Sequence, residues 1–171
     1  MSKLASLFTE HTNTSLAQYM VSATAEDPIA NNCLFGDIIA SIDLTDSQNN
    51  IIVSISLLFT NDLASRIYEA IFGEVSLDEL GEVTKEMVNI IGGNVKPELT
   101  KFSTEIFSKV HPNKPLPEGQ TEFLKFDLGL PNYLMKDAHE LKLPDKTAYE
   151  LVIPFVVEDE EITLVVAFLP S

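Results

Sequence analysis

Cysteine is nearly absent from this sequence. A single Cys33 in 171 residues can form neither an intrachain disulfide nor a thiolate metal cluster, and a reducing compartment is the natural setting. Basic residues are scarce as well: 11 Lys and Arg stand against 26 Asp and Glu, a formal net charge of −15. That balance opposes the counterion release and surface potential that hold proteins on nucleic acid or anionic lipid, so neither nucleic acid nor a membrane is expected as a partner. The acidity serves solubility and by itself names no partner. Long apolar runs are also missing. None approaches the ~20 residues of a membrane span, and MSKLASLFTEHTNTSLAQYM lacks the continuous apolar stretch and small-residue cleavage site of a signal peptide. The expectation is a soluble, cytoplasmic protein. Familiar catalytic signatures are absent too. His11, His111 and His139 are scattered, and no Ser-His or Cys-His arrangement, Gly-rich phosphate loop or metal-ligand spacing occurs near the polar helix described below. No metal site and no cofactor of the chain's own are expected.

What is present is enough apolar material for one core. With 45% hydrophobic residues in 171, the chain has the size of one domain, and folding at this length buries roughly 70% of the unfolded surface. Residues 1–33 read as an N-terminal helical segment, with Leu4, Leu7, Phe8, Leu16, Tyr19 and Met20 at helical intervals, and one or two helices are expected there. Residues 34–171 read as the core of the same single domain. LFGDIIASIDL and IIVSISLLF are β-branched runs joined by the polar turn TDSQNN, a β-hairpin. TNDLASRIYEAIFG has Thr60 or Asn61 as N-cap, Asp62 in the first turn and Gly73 as a stop, which predicts a short helix. EVSLDEL links it to a second helix, and Pro97 is expected to kink that helix or to start another, ELTKFSTEIFSKV. TEFLKFDLGL, AYELVIPFVV and EITLVVAFL read as strands, the last two forming a hairpin. The fold class is α+β: a mostly antiparallel sheet with helices packed on one face.

The most periodic segment is EVTKEMVNIIGGNVKPEL, Glu82 to Leu99. At about 100° per residue, Val83, Met87, Ile90 and Ile91 form an apolar arc that should face the sheet. Glu82, Glu86, Asn89, Gly93 and Lys96 fall within an opposite arc of about 80°. Gly93 in the middle of that polar stripe gives up ~1 kcal/mol of helix propensity relative to alanine. A residue without a side chain there would let a second surface come close to the backbone. Asn94 falls near the apolar arc, where a satisfied buried hydrogen bond is expected.

Polar residues one turn apart on a helix are ordinarily its solvated face, and spacing alone points no further. Their chemistry narrows the options. Asn89 has no usable pKa, yet an amide can hold a water molecule by donating and accepting hydrogen bonds. Glu86 could act as a base, but an exposed carboxylate more readily pairs with a cation. The pair has the character of half an active site, whose electrophile and metal would arrive on another macromolecule.

The same residues resemble a known family, the CheC, CheX and FliY phosphatases, which dephosphorylate the response regulator CheY in chemotaxis. The family's active helix carries an acidic residue or serine, three residues, Glu, two residues, Asn, and a proline some twenty residues on. Glu82, Glu86, Asn89 and Pro112 match those places, and NIIGGN resembles the run after the Asn. The element order from about Leu34 to Leu169, including LGLPNYL, is similar too. Only one Glu-x-x-Asn helix is present, since the second candidate helix has Glu105 and Ser108, so the chain looks closer to the single-site CheX type. Glu82 stands where the family more often has Asp or Ser. The resemblance implies a CheC/CheX-like fold and hydrolysis of the aspartyl phosphate of a phosphorylated response regulator. Asn89 would orient the attacking water and Glu86 would pair with the regulator's lysine. Mg²⁺ would sit on the regulator, and Glu82, Gly93, Lys96 and Pro112 would contribute to binding.

Two other readings remain at this level: a non-catalytic CheX-like binding module in a signalling or flagellar complex, and a dimeric scaffold. A homodimer is expected on separate grounds. The closing hairpin AYELVIPFVVEDEEITLVVAFL is long and apolar for a sheet edge, and such an edge invites pairing.

Overall fold

The computed structural model describes residues 2–30, 34–74 and 76–171. Cys33 and the end of AEDPIANN lie outside the described residues. The chain begins with α1 (Lys3–Gln18), started by Ser2, whose hydroxyl accepts from the Ala5 amide at 3.1 Å. This single helix runs straight through Thr12 to Thr14. Its poor helix formers are used in packing there: Thr12 and Ser15 are buried, and Ser15 Oγ donates to the Met87 carbonyl at 2.9 Å. A two-residue strand β1 (Thr24–Ala25) follows.

The β2 (Phe35–Asp46) and β3 (Ile51–Phe59) strands form the expected hairpin, in register from Ile38 opposite Phe59 to Asp46 opposite Ile51. The buried Asp46 carboxylate holds its turn together, accepting from the Asn49 amide and side chain and from the Lys125 amide, each at 2.9 Å. Next comes α2 (Asn61–Phe72), with Thr60 as its N-cap and Gly73 as its left-handed C-cap at φ 77°, both as the sequence indicates.

The next helix, α3 (Leu77–Leu99), starts earlier than expected. It takes in LDEL from the presumed linker and continues through Pro97. Pro97 falls in its last turn, where few downstream hydrogen bonds depend on its position. A 3₁₀ turn (Thr100–Phe102) leads to α4 (Ser103–Val110).

The C-terminal half departs most from expectation. Within TEFLKFDLGL only β4 (Asp127–Leu128) is strand. Phe123, Leu124 and Phe126 are buried, but in an irregular segment held by Ser103 Oγ, which accepts from the Phe123 and Leu124 amides at 3.1 and 3.0 Å. A strand that periodicity does not signal, β5 (Asn132–Glu140), pairs with β2. The closing hairpin is present as β6 (Tyr149–Val157) and β7 (Glu160–Pro170).

All pairings are antiparallel, in a seven-stranded sheet ordered β1-β6-β7-β3-β2-β4, with β5 also on β2. The α+β class holds, and one large apolar core joins the sheet to all four helices, α1 included. A smaller cluster, Leu34, Ile39, Leu58, Val152 and Val165, occupies the other face. This order corrects the expected sheet edge. β7 is interior, between β6 and β3, and the outer side of β6 is partly covered by β1 and the Ile29–Val152 bridge. The apolar closing hairpin is thus apolar because it is central. The exposed edge is β5, where Leu134 and Met135 are 47% and 37% accessible.

Candidate functional site

One face of α3 is fixed by the sheet. Leu80, Thr84, Met87, Val88, Ile91, Val95 and Leu99 are buried at intervals of three or four residues. Each large apolar side chain so placed is worth about 1.5–3 kcal/mol of burial. This seam is rotated from the expected arc toward Val88 and Val95: Met87 and Ile91 belong to it, whereas Val83 and Ile90 are only half-buried on its flank. Two glycines explain the rotation. A Cβ on Gly92 would lie 3.0 Å from Leu128 and 3.2 Å from Ile42, and one on Gly81 would overlap the Tyr133 ring. α3 therefore sits directly on β2 and β4 at Gly92 and takes the β5 ring at Gly81. Asn94 is half-buried rather than in the core.

With that face fixed, helical phase carries the stripe outward. Glu82, Glu86 and Gly93 are exposed, and Asn89 and Lys96 are half-buried. Nothing lies within 4 Å of where a Gly93 Cβ would stand, in contrast to Gly92 beside it. The approach inferred from the sequence is physically open. Pro97 adds to it, because it has no N–H to donate and the Gly93 carbonyl loses its usual partner four residues on. The middle of the stripe thus presents backbone that a second surface can reach.

The two acidic residues of the stripe differ. Glu82 is ion-paired with Lys85 at 2.5 Å, a bond that raises the Lys85 pKa above its ordinary value, and the Lys85 ammonium lies 6.0 Å from the Tyr133 ring centre. Glu86 forms no ion pair among the described residues. Its charge acts on Tyr19, whose pKa is raised first by burial and then by Glu86. An unpaired carboxylate next to a half-buried amide can receive a cation and position a water, and it holds no nucleophile of its own.

Pro112 is not on this helix. It is exposed just after His111, the C-cap of α4, whose Nε2 is hydrogen-bonded at 3.0 Å to the Asn49 carbonyl in the β2–β3 turn. Among the described residues no group of three or more His, Cys, Asp or Glu is placed to hold a metal, and no helix is long and apolar enough to cross a membrane.

The sequence reading missed two features. Gly81 and Tyr133 fix the pitch of α3 against β5, and a lone glycine between the presumed linker and Glu82 was the only signal. The other is a groove of about 370 Å³ beside the stripe, floored by Tyr19, Tyr68, Phe72 and Val83. Its lining comes from the end of α1, from α2 and from α3.

No family model matches the sequence, and no curated protein matches it. Solved structures do resemble it. CheX from Desulfovibrio desulfuricans is 20% identical, with 98% of this chain and 99% of that chain covered at a TM-score of 0.75. A CheC-like superfamily protein from Shewanella sp. PV-4 is 16% identical, with 98% and 99% covered, also at 0.75. CheX from Borrelia burgdorferi, crystallised as a CheX–CheY–BeF3–Mg²⁺ complex, is 18% identical, with 95% and 96% covered, at 0.66. Across nearly its whole length, the chain has the fold of the CheC/CheX-like chemotaxis proteins.

Proposed function

We propose that this protein is a phosphatase for the aspartyl phosphate of a chemotaxis-type response regulator, acting in the cytoplasm with α3 as the docking helix. The observation that carries the reading is the stripe itself: unpaired Glu86, half-buried Asn89 and open Gly93 on one helix face. The fold shared with a CheX that was crystallised with CheY, BeF3 and Mg²⁺ supports the choice of partner. BeF3 is chemically a stand-in for a phosphoryl group.

In this reading Gly93 lets the receiver domain come close enough for Asn89 to reach the phosphoryl group. The Asn89 amide orients a water whose oxygen attacks phosphorus in line. The bond from phosphorus to the aspartyl oxygen breaks, the carboxylate leaves with the electron pair, and the water's proton ends on inorganic phosphate. Glu86 pairs with the regulator's lysine and sets the register. Glu82, Lys96 and Pro112 are assigned to binding, Glu82 through the geometry it imposes on Lys85. The metal belongs to the regulator, and no step needs one held by this chain.

A panel of phosphorylated receiver domains tests the reading: loss of phosphate from at least one, faster than its intrinsic decay, is expected. Binding without accelerated loss would replace the phosphatase by a non-catalytic module. A homodimer through the exposed β5 edge is part of the proposal, and light scattering that finds a monomer at micromolar concentration removes it.

A further inference from the structure

Beside the catalytic stripe, Phe72 stands 55% exposed at the end of α2, its ring centre 4.6 Å from that of buried Tyr68. With Tyr19 from the end of α1 and Val83 from α3 it floors the groove described above, and Glu79, Glu82 and Glu86 form its rim. The groove is continuous with the stripe, since Glu82 and Glu86 belong to both. Its charges are unequal in availability. Glu79 accepts the Tyr68 hydroxyl and Glu82 holds Lys85, which leaves Glu86 as the rim carboxylate without an ion pair among the described residues.

We propose that this groove is a second contact for the receiver domain, taking an apolar side chain that the partner carries next to a lysine or arginine. The proposal rests on the phosphatase reading and extends it from the reacting residues to affinity. Continuity fixes the partner, because anything seated on Glu86 from the stripe side also borders the groove. Charge fixes the chemistry: an apolar floor under an acidic rim favours an apolar group flanked by a cation. A second copy of this chain docking groove to groove is disfavoured, since it would set the same acidic rim of Glu79, Glu82 and Glu86 against this one. The exposed aromatic ring at its centre has the character of an interface anchor.

The experiment uses a receiver domain that the wild-type protein dephosphorylates, and measures the half-saturating receiver concentration separately from the single-turnover rate at saturation. Phe72→Ala should raise the half-saturating concentration about tenfold, with the saturated rate within twofold. Phe72→Leu should recover most of the loss. Phe35→Ala, at an equally exposed phenylalanine on β2, should match wild type in both quantities. A wild-type saturation curve for Phe72→Ala overturns the proposal and leaves the phosphatase reading standing, as does an equal loss at Phe35→Ala. If wild type neither binds nor dephosphorylates any receiver of the panel, the phosphatase reading fails and takes this assignment with it. Should Phe72→Ala unfold, ring NMR signals of wild-type Tyr19 and Tyr68 decide: they shift on adding beryllofluoride-loaded receiver if the groove is occupied, and their constancy overturns the proposal.

Discussion

α3 and α4 both carry a glutamate followed three residues later by a polar side chain, Glu86 with Asn89 and Glu105 with Ser108. Their surroundings differ in what is left free. α4 has eight residues, its Ser103 holds the 123–124 backbone, and its Lys109 ammonium sits 4.0 Å over the centre of the Tyr149 ring. Burial raises the Tyr149 pKa and the Glu105 charge adds to it. Ser103 and Lys109 are thus turned toward their own protein, while Glu105 is half-buried and Ser108 exposed. α3 has 23 residues, leaves Glu86 without an ion pair among the described residues, and opens a gap at Gly93. A polar pair on a helix becomes a candidate site where the backbone beside it can be approached, as at Gly93.

The largest expected effect breaks the comparison at the gap. Gly93→Leu should abolish measurable receiver binding while changing stability by no more than about 1 kcal/mol, because leucine is the better helix former. Gly92→Leu, one residue away, should destabilise by about 1–3 kcal/mol through overpacking against Ile42 and Leu128. Thermal melts and receiver titrations of the two variants read this out. Unfolding of Gly93→Leu would mean that the face is not open.

Turnover comes next. Asn89→Ala should lower the single-turnover rate by about 100-fold, the loss typical of a positioned polar group at a reacting centre, with affinity within a few-fold. Ser108→Ala should change neither. Ser108→Asn, which gives α4 the same residue pair as α3, should add no activity to an Asn89→Ala background; if it restores turnover, the difference between the helices is chemical and not one of access.

Glu86→Ala should weaken receiver binding by about 1–3 kcal/mol and slow hydrolysis, with Glu86→Gln intermediate. Glu105→Ala should leave both unchanged. Added salt should weaken wild-type binding more than that of Glu86→Ala, and equal salt slopes would show that no charge pair forms there.

The smallest effect concerns Pro97. Pro97→Ala restores a donor to the Gly93 carbonyl, so stability should rise by about 1 kcal/mol, less than the full helix-interior value because the position is in the last turn. Receiver affinity should fall no more than a few-fold. Denaturant titration and binding on the same sample separate the two.

The candidate stripe was legible in the sequence because helical phase is local. Spacings of four, three, four and three put Glu82, Glu86, Asn89, Gly93 and Lys96 on one side of any α-helix, whatever it packs against. The same holds for α2, whose N-cap at Thr60 and left-handed stop at Gly73 are set within one turn of each end. The β2–β3 and β6–β7 hairpins were legible for a similar reason, since a short polar turn leaves two apolar runs few other ways to pair. Strand order is not local. That β7 is central and β5 is the exposed edge depends on pairings such as Ile51 with Pro170 and Phe35 with Glu140, more than a hundred positions apart, and β5, mostly exposed, carries no alternation to reveal it. TEFLKFDLGL read as a strand because apolar content alone cannot tell a ladder from a buried irregular segment; Ser103, twenty residues earlier, decided it. The inward side of α3 was likewise settled by the Tyr133 ring at Gly81 and by Ile42 and Leu128 at Gly92. The groove needed the most assembly, because Tyr19, Phe72 and Val83 become neighbours only once three helices share one core, and contact across elements is fixed by packing, not by any periodicity a single segment can carry.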